Sequence, residues 1–192
     1  PKLAAHSDAI YMNDKLFQRV KTIYENRDQL DLDAESKKLV EKYYQRFEMS
    51  GANLSAEAKE KMKALNAEEA TLNTKFTNIM LAAAKDGALV VDTKEELDGL
   101  SDGEIAAAAQ KAEAAGMPGK YMIPILNTTQ QPALQSLKNR ETRQKLFEAS
   151  WNRAEKGDAN DTRAMIERLA ALRAEKAELM GFNSYAEWKL QN

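Results

Sequence analysis

The sequence predicts an all-α fold, an antiparallel helical bundle or array with one long helix and a minor two-stranded β-ribbon. Three observations carry this expectation. Glycine (8) and proline (4) are scarce in 192 residues, while the strong helix formers alanine, glutamate, lysine and leucine dominate. Apolar residues recur at intervals of three and four along most of the chain. Helix-start signals, a serine or threonine three residues before a glutamate, precede several of these stretches.

The first amphipathic stretch runs from Asn13 to Gln29, with Leu16, Phe17, Val20, Ile23 and Tyr24 at helical spacing. A second covers Asp33 to Met49, with Leu39, Val40, Tyr43, Tyr44 and Phe47 on one face, and Gly51 is the expected residue just past its end. Ser55 is placed to cap a third helix from Ala56 to Lys85. There Ala58, Met62, Leu65, Glu69, Leu72, Phe76, Ile79 and Ala83 follow a 4-3 spacing, a narrow seam packed between neighbours. Thirty helical residues make a rod of roughly 45 Å.

Two β-prone runs follow, Ala88–Val91 and Tyr121–Leu126, and Pro124 confines the second to an edge or bulge. Between them, capping boxes at Thr93–Glu96 and Ser101–Glu104 each start a short helix. Thr128 or Thr129 caps a further helix with Pro132 in its first turns. A helix from Arg140 to Glu155 carries Leu146, Phe147, Ser150, Trp151 and Ala154 on one side, and Asn160 or Asp161 caps the helix that ends at Met180. Repeats, low-complexity tracts and linkers are missing, so residues 1–192 read as a single helical segment.

Composition narrows function. With 28 basic against 30 acidic residues and no basic stripe, nucleic acid is not an expected partner. No apolar run approaches the ~18–20 residues that span a bilayer, so a membrane is not expected either. Cysteine is absent, which excludes disulfides and thiolate chemistry. His6 is the single histidine, so a zinc site or a Ser-His-Asp triad would have to be built on it. Neighbouring carboxylates such as Glu68–Glu69 and Glu95–Glu96 point in different directions on a helix and read as solvated charges. No residue set offers a self-sufficient active site, and no catalytic, metal or cofactor-binding residue is assigned.

Two polar residues interrupt apolar stripes. Glu69 lies in the seam of the long helix, and Arg173 lies among Ile166, Leu169, Ala170, Ala177 and Met180. They are candidates for a structural ion pair that fixes the register of two helices, since buried charges are tolerated mainly when paired. The plainer alternative, taken as the default, puts each at the rim of its stripe with its head group in water. The stretch NTTQQP (Asn127–Pro132) offers amides and hydroxyls that could bind a peptide backbone, although a capped helix start already accounts for them.

Several long segments together resemble a known family. The run HSDAIYMNDKLFQRVKTIYENRDQLDLDAESKKLVEKYYQRFEMSGANLS, with AAAKDGALV, LSDGEIAAAAQ, PILNTTQQPALQSLKNRETRQKLFEASWNRAEKGDANDT and ALRAEKAELMGFNSYAEWKL, is similar to the thimet-oligopeptidase-like metallopeptidases. Within that family NTTQQPAL and RAEKGDANDT point to the peptidyl-dipeptidase (dipeptidyl carboxypeptidase) branch. The resemblance implies a much longer, almost wholly helical zinc peptidase with a deep channel between two halves, acting on oligopeptides. The family's zinc site is a His-Glu-x-x-His motif with a downstream glutamate, and the motif glutamate activates the metal-bound water. No His-Glu pair occurs in this chain, so none of those residues carries over.

The resemblance also suggests why ELMGFNSYAEWKLQN stops about two turns into a helix capped at Asn183 or Ser184. The expectation is a non-catalytic segment of a peptidase, part of its channel wall, inactive and zinc-free alone, whose partner is the remaining catalytic half of the same chain. Trp188 and Leu190 on an unfinished helix would then leave an apolar face prone to non-physiological self-association. The cytoplasm is the expected compartment, with the periplasm left open. The alternative is a free-standing helical module that binds peptides or a protein without cleaving them.

Overall fold

The computed structural model describes residues 1–126 and 130–191, with residues 130 and 131 described by their backbone alone. The helices are α1 (Lys2–Tyr11), α2 (Asp14–Glu25), α3 (Ala34–Met49), α4 (Ala56–Asp86), α5 (Asp102–Ala114), α6 (Gln130–Ser136), α7 (Arg140–Trp151), α8 (Arg163–Leu179) and α9 (Tyr185–Lys189). Strands β1 (Leu89–Val91) and β2 (Tyr121–Ile123) form one antiparallel ribbon, with Leu89 opposite Ile123 and Val91 opposite Tyr121. The fold is all-α with a minor β-ribbon. The sequence shows one continuous segment; the structure has two compact units, residues 1–74 with 165–192 and residues 75–164. The long helix α4 contributes to both.

In the first unit, α2 and α3 pack as an antiparallel pair. Phe17 stacks on Phe47 while Tyr24, two turns further along α2, stacks on Tyr44, one turn earlier on α3, at 4.0 Å between ring centres. Each helix starts on a side-chain cap: Asn13 accepts from the Leu16 amide and Asp33 from the Ser36 amide. Helix α3 ends at a left-handed Gly51 (φ +94°), and the Ala52 amide turns back to donate to the Phe47 carbonyl. The buried Lys59 of α4 pairs with Asp14 at the start of α2. A second core joins Met12, Met62, Ala177 and Trp188.

In the second unit, the ribbon, α5, α6 and α7 enclose Leu89, Val91, Leu97, Ile105, Ile123 and Leu146. Pro124 follows directly after the last paired residue of β2, where a missing amide costs no ladder bond. The box at Ser101 and Glu104 forms in full and starts α5. At Thr93–Glu96 the Glu96 carboxylate collects the amides of Asp92 and Thr93 and the Thr93 hydroxyl, and the element it starts is a single 3-10 turn (Glu95–Leu97).

The structure departs from the sequence expectations in four places. Helix α1 is missed in the sequence because its apolar residues form no clear stripe and none of its side chains is buried. Helix α7 ends at Trp151 rather than Glu155, because Ala154 adopts a left-handed φ of 63° and its carbonyl accepts from the amide and hydroxyl of the buried Thr162. Phe147 and Trp151 lie on α7's outer face, stacked on each other and exposed, Trp151 at 72%. Trp188, expected on an open apolar face, is 3% exposed, and of the two only Leu190 stands in water. The expected caps Thr128 and Thr129, and Asn127 of the NTTQQP stretch, lie outside the described residues.

Candidate functional site

The most charged constellation of the first unit surrounds Glu69. This residue sits in the α4 seam between Leu65 and Leu72, so the helix carries its carboxylate inward with the apolar side chains. Arg173 and Lys176 lie three residues apart on α8 and therefore face the same way. Arg173 Nε donates to Glu69 Oε1 at 3.2 Å and Lys176 Nζ donates to Oε2 at 2.7 Å. Burial separates the two cations. Side-chain exposure is 13% for Glu69 and 9% for Lys176, but 46% for Arg173.

The structure thus brings the sequence-paired residues together and adds a third. Arg173 makes the contact while remaining at the rim, its guanidinium 5.4 Å above the Tyr185 ring. The interior partner is Lys176, which sequence reasoning passed over. A signal existed: Met165, Leu169, Leu172 and Lys176 keep a 4-3-4 spacing and are all buried, so the lysine stands on the stripe itself. Ile166, read as a stripe neighbour of Arg173, is exposed.

Electrostatics follow the geometry. Burial pushes the Glu69 pKa up, but hydrogen bonding and charge from Lys176, then Arg173, outweigh it and hold the carboxyl below its ordinary value. Glu68, one residue earlier, points elsewhere and takes a bidentate contact from Arg168 (2.7 and 2.8 Å), whose remaining arm reaches Glu175 at 2.7 Å. The adjacent glutamates are both engaged, in separate networks.

Around this pair α9 closes the cluster. Ser184 caps it by accepting from the Glu187 amide. Tyr185 and Trp188 meet edge to face at 5.7 Å. Lys189 lays its ammonium 3.5 Å from the centre of the Trp188 ring. Desolvation, then repulsion from Lys176, lowers the Lys189 pKa, with Glu69 opposing. Asp8, on α1, accepts from Asn66 Nδ2 of α4 at 2.8 Å, and burial raises its pKa against the pull of that bond and of Lys176 and Lys63.

Two clefts border Trp188. One, of about 540 Å³, is lined by Gln45, Leu54, Met180 and Phe182 together with Glu48, whose carboxylate is already bonded to Tyr44 and Asn53. The other, of about 320 Å³, is lined by Asp8, Asn66, Glu69, Lys176 and Lys189. Among the described residues no group of three or more His, Cys, Asp or Glu is placed to hold a metal ion, so these side chains do not fit a zinc centre. His6 is exposed on α1. Among the described residues no helix is long and apolar enough to cross a membrane. The cluster can register helices and can offer charge to a ligand; it has no nucleophile–base pair.

Residues 133–192 match the family model described as peptidase family M3. Over 98% of its length it is 51% identical to the dipeptidyl carboxypeptidase of Escherichia coli (strain K12) and 50% identical to that of Salmonella typhimurium. It is 28% identical over 99% of its length to oligopeptidase A of Haemophilus influenzae. The chain spans 28% of the length of each of these three relatives.

Proposed function

We propose that this chain is a non-catalytic segment of a zinc-dependent peptidase that releases C-terminal dipeptides from oligopeptides. One observation carries the reading: 51% identity, across nearly the whole chain, to a protein named dipeptidyl carboxypeptidase, against 28% for one named oligopeptidase A. In this reading the helices form part of a substrate-channel wall, which admits short peptides and excludes folded proteins by size. The zinc and the residues that activate its water belong to the remaining, catalytic part of the same chain. The stacked, exposed Phe147 and Trp151 supply an apolar surface for that part to cover. The compartment we assign is the cytoplasm.

The test is an immunoblot of fractionated source cells with antibody raised against the chain, joined to an assay of the purified chain. We expect a cytoplasmic band several times heavier than 21.5 kDa, and a purified 192-residue chain that neither takes up zinc at unit stoichiometry nor hydrolyses a blocked tetrapeptide. Hydrolysis with stoichiometric zinc would sink the non-catalytic role. A single band near 21.5 kDa would replace the whole reading with a free-standing helical module that binds peptides or a protein.

A further inference from the structure

We propose that the cleft bounded by α1, α4, α8 and α9 binds a short zwitterionic peptide, its ammonium received by Asp8 and its carboxylate by Lys189. Four charged groups line this cleft, and they are not equivalent. Glu69 and Lys176 satisfy each other at 2.7 Å. Asp8 and Lys189 take part in none of the ion pairs among the described residues. The carboxylate's partner is the neutral Asn66 amide, and the ammonium rests on the faces of Trp188 and Tyr185, 3.5 and 5.7 Å from their centres. One open anion and one open cation therefore stand on the walls of a single cleft. A molecule carrying one charge of each sign, in the opposite order, is what they complement.

The state of each group points the same way. Asp8 is held above the ordinary carboxylate range and Lys189 below the ordinary lysine range, each chiefly by desolvation. Both charged forms are under-compensated, and an arriving ammonium beside Asp8 or carboxylate beside Lys189 relieves that cost. An extended dipeptide carries one charge at each end, its termini roughly 7 Å apart. The volume of about 320 Å³ falls at the small end of ligand sites, and Met49 and Met62 give a side chain an apolar wall.

That the zwitterion is a peptide rests on the proposed peptidase function, whose products are dipeptides; the pair of open charges does not rest on it. Binding here is distinct from hydrolysis and needs only this chain.

The test uses Trp188 as a local reporter in a Trp151→Phe background, with the Met49 and Met62 methyl resonances as a second readout should fluorescence stay silent. Alanyl-alanine is titrated against N-acetyl-alanyl-alanine amide, whose termini carry no charge. We expect saturable binding of alanyl-alanine, weaker by about tenfold or more for the blocked peptide. Asp8→Asn and Lys189→Met should each weaken alanyl-alanine by a similar factor while thermal melting stays close to the parent's. Equal binding of both peptides, no saturation by roughly 10 mM in either readout, or undiminished binding by both variants overturns the inference. A full-length protein without peptidase activity that still binds alanyl-alanine would sink the peptidase reading alone; an active enzyme that does not bind it here would sink this one alone.

Discussion

Replacing Lys176 by methionine asks which of the two cations supports the buried carboxylate of Glu69. Methionine keeps the buried apolar stem and removes the ammonium 2.7 Å from Glu69 Oε2. Taking one partner from a buried pair costs about 3–5 kcal/mol, because the other charge is left without compensation. Arg173 still donates to Oε1 at 3.2 Å, which places the expected loss at the low end, about 3 kcal/mol. Truncating Arg173 to alanine removes a half-exposed contact, worth at most about 1 kcal/mol.

The assay is urea denaturation read by Trp188 fluorescence in the Trp151→Phe background, so that the transition reports the unit containing the pair. With a slope of about 2 kcal/mol/M, Lys176→Met moves the midpoint down by about 1.5 M and Arg173→Ala by less than about 0.5 M. The double variant Glu69→Gln/Lys176→Met should be more stable than Lys176→Met alone, since it leaves no uncompensated charge in the interior. Equal losses at Arg173 and Lys176 would refute the reasoning, as would a double variant less stable than the single.

Four further outcomes follow from the packing and charge of named residues. Because the Glu69 pKa is lowered on folding, its contribution is present above the ordinary value of 4.5 and is lost as pH falls through the folded value. Acid titration of stability should therefore be shallower below pH 4.5 in Glu69→Gln than in the parent. At Gly99 (φ +102°) a Cβ would lie 2.0 Å from the Ser136 carbonyl oxygen, so Gly99→Ala should cost more than about 3 kcal/mol or unfold the second unit, seen as lost near-UV dichroism. Leu146 is fully buried among the strand and α5 side chains, and Leu146→Ala should cost about 2–5 kcal/mol in denaturant. Trp151→Ser, on the exposed face of α7, should change stability by no more than about 0.5 kcal/mol.

Most helices were legible because their signals are local. Asn13, Asp33, Ser55, Ser101 and Ser184 each accept an amide three residues ahead, a contact within one helical turn. The ribbon was legible because two β-prone runs, Ala88–Val91 and Tyr121–Leu126, stand out from a helical pattern. Helix α1 was not, since alanines and isolated apolar residues hold no stripe for periodicity to find. The end of α7 was not, because it depends on Thr162 folding back onto Ala154, a contact eight residues away.

The candidate site divides along the same line. The sequence by itself determined that Glu69 and Arg173 sit on apolar stripes, that histidine and cysteine are too few for a zinc centre built from this chain, and that its segments match those of a peptidase family. Only the tertiary structure decided that the interior cation is Lys176, that Trp188 is covered rather than open, and that Asp8 and Lys189 border one cleft while taking part in none of the ion pairs among the described residues. The physical reason is range. Caps and periodicity act over one or two turns, whereas burial and charge pairing depend on residues such as Glu69 and Lys176, more than a hundred positions apart, meeting in space.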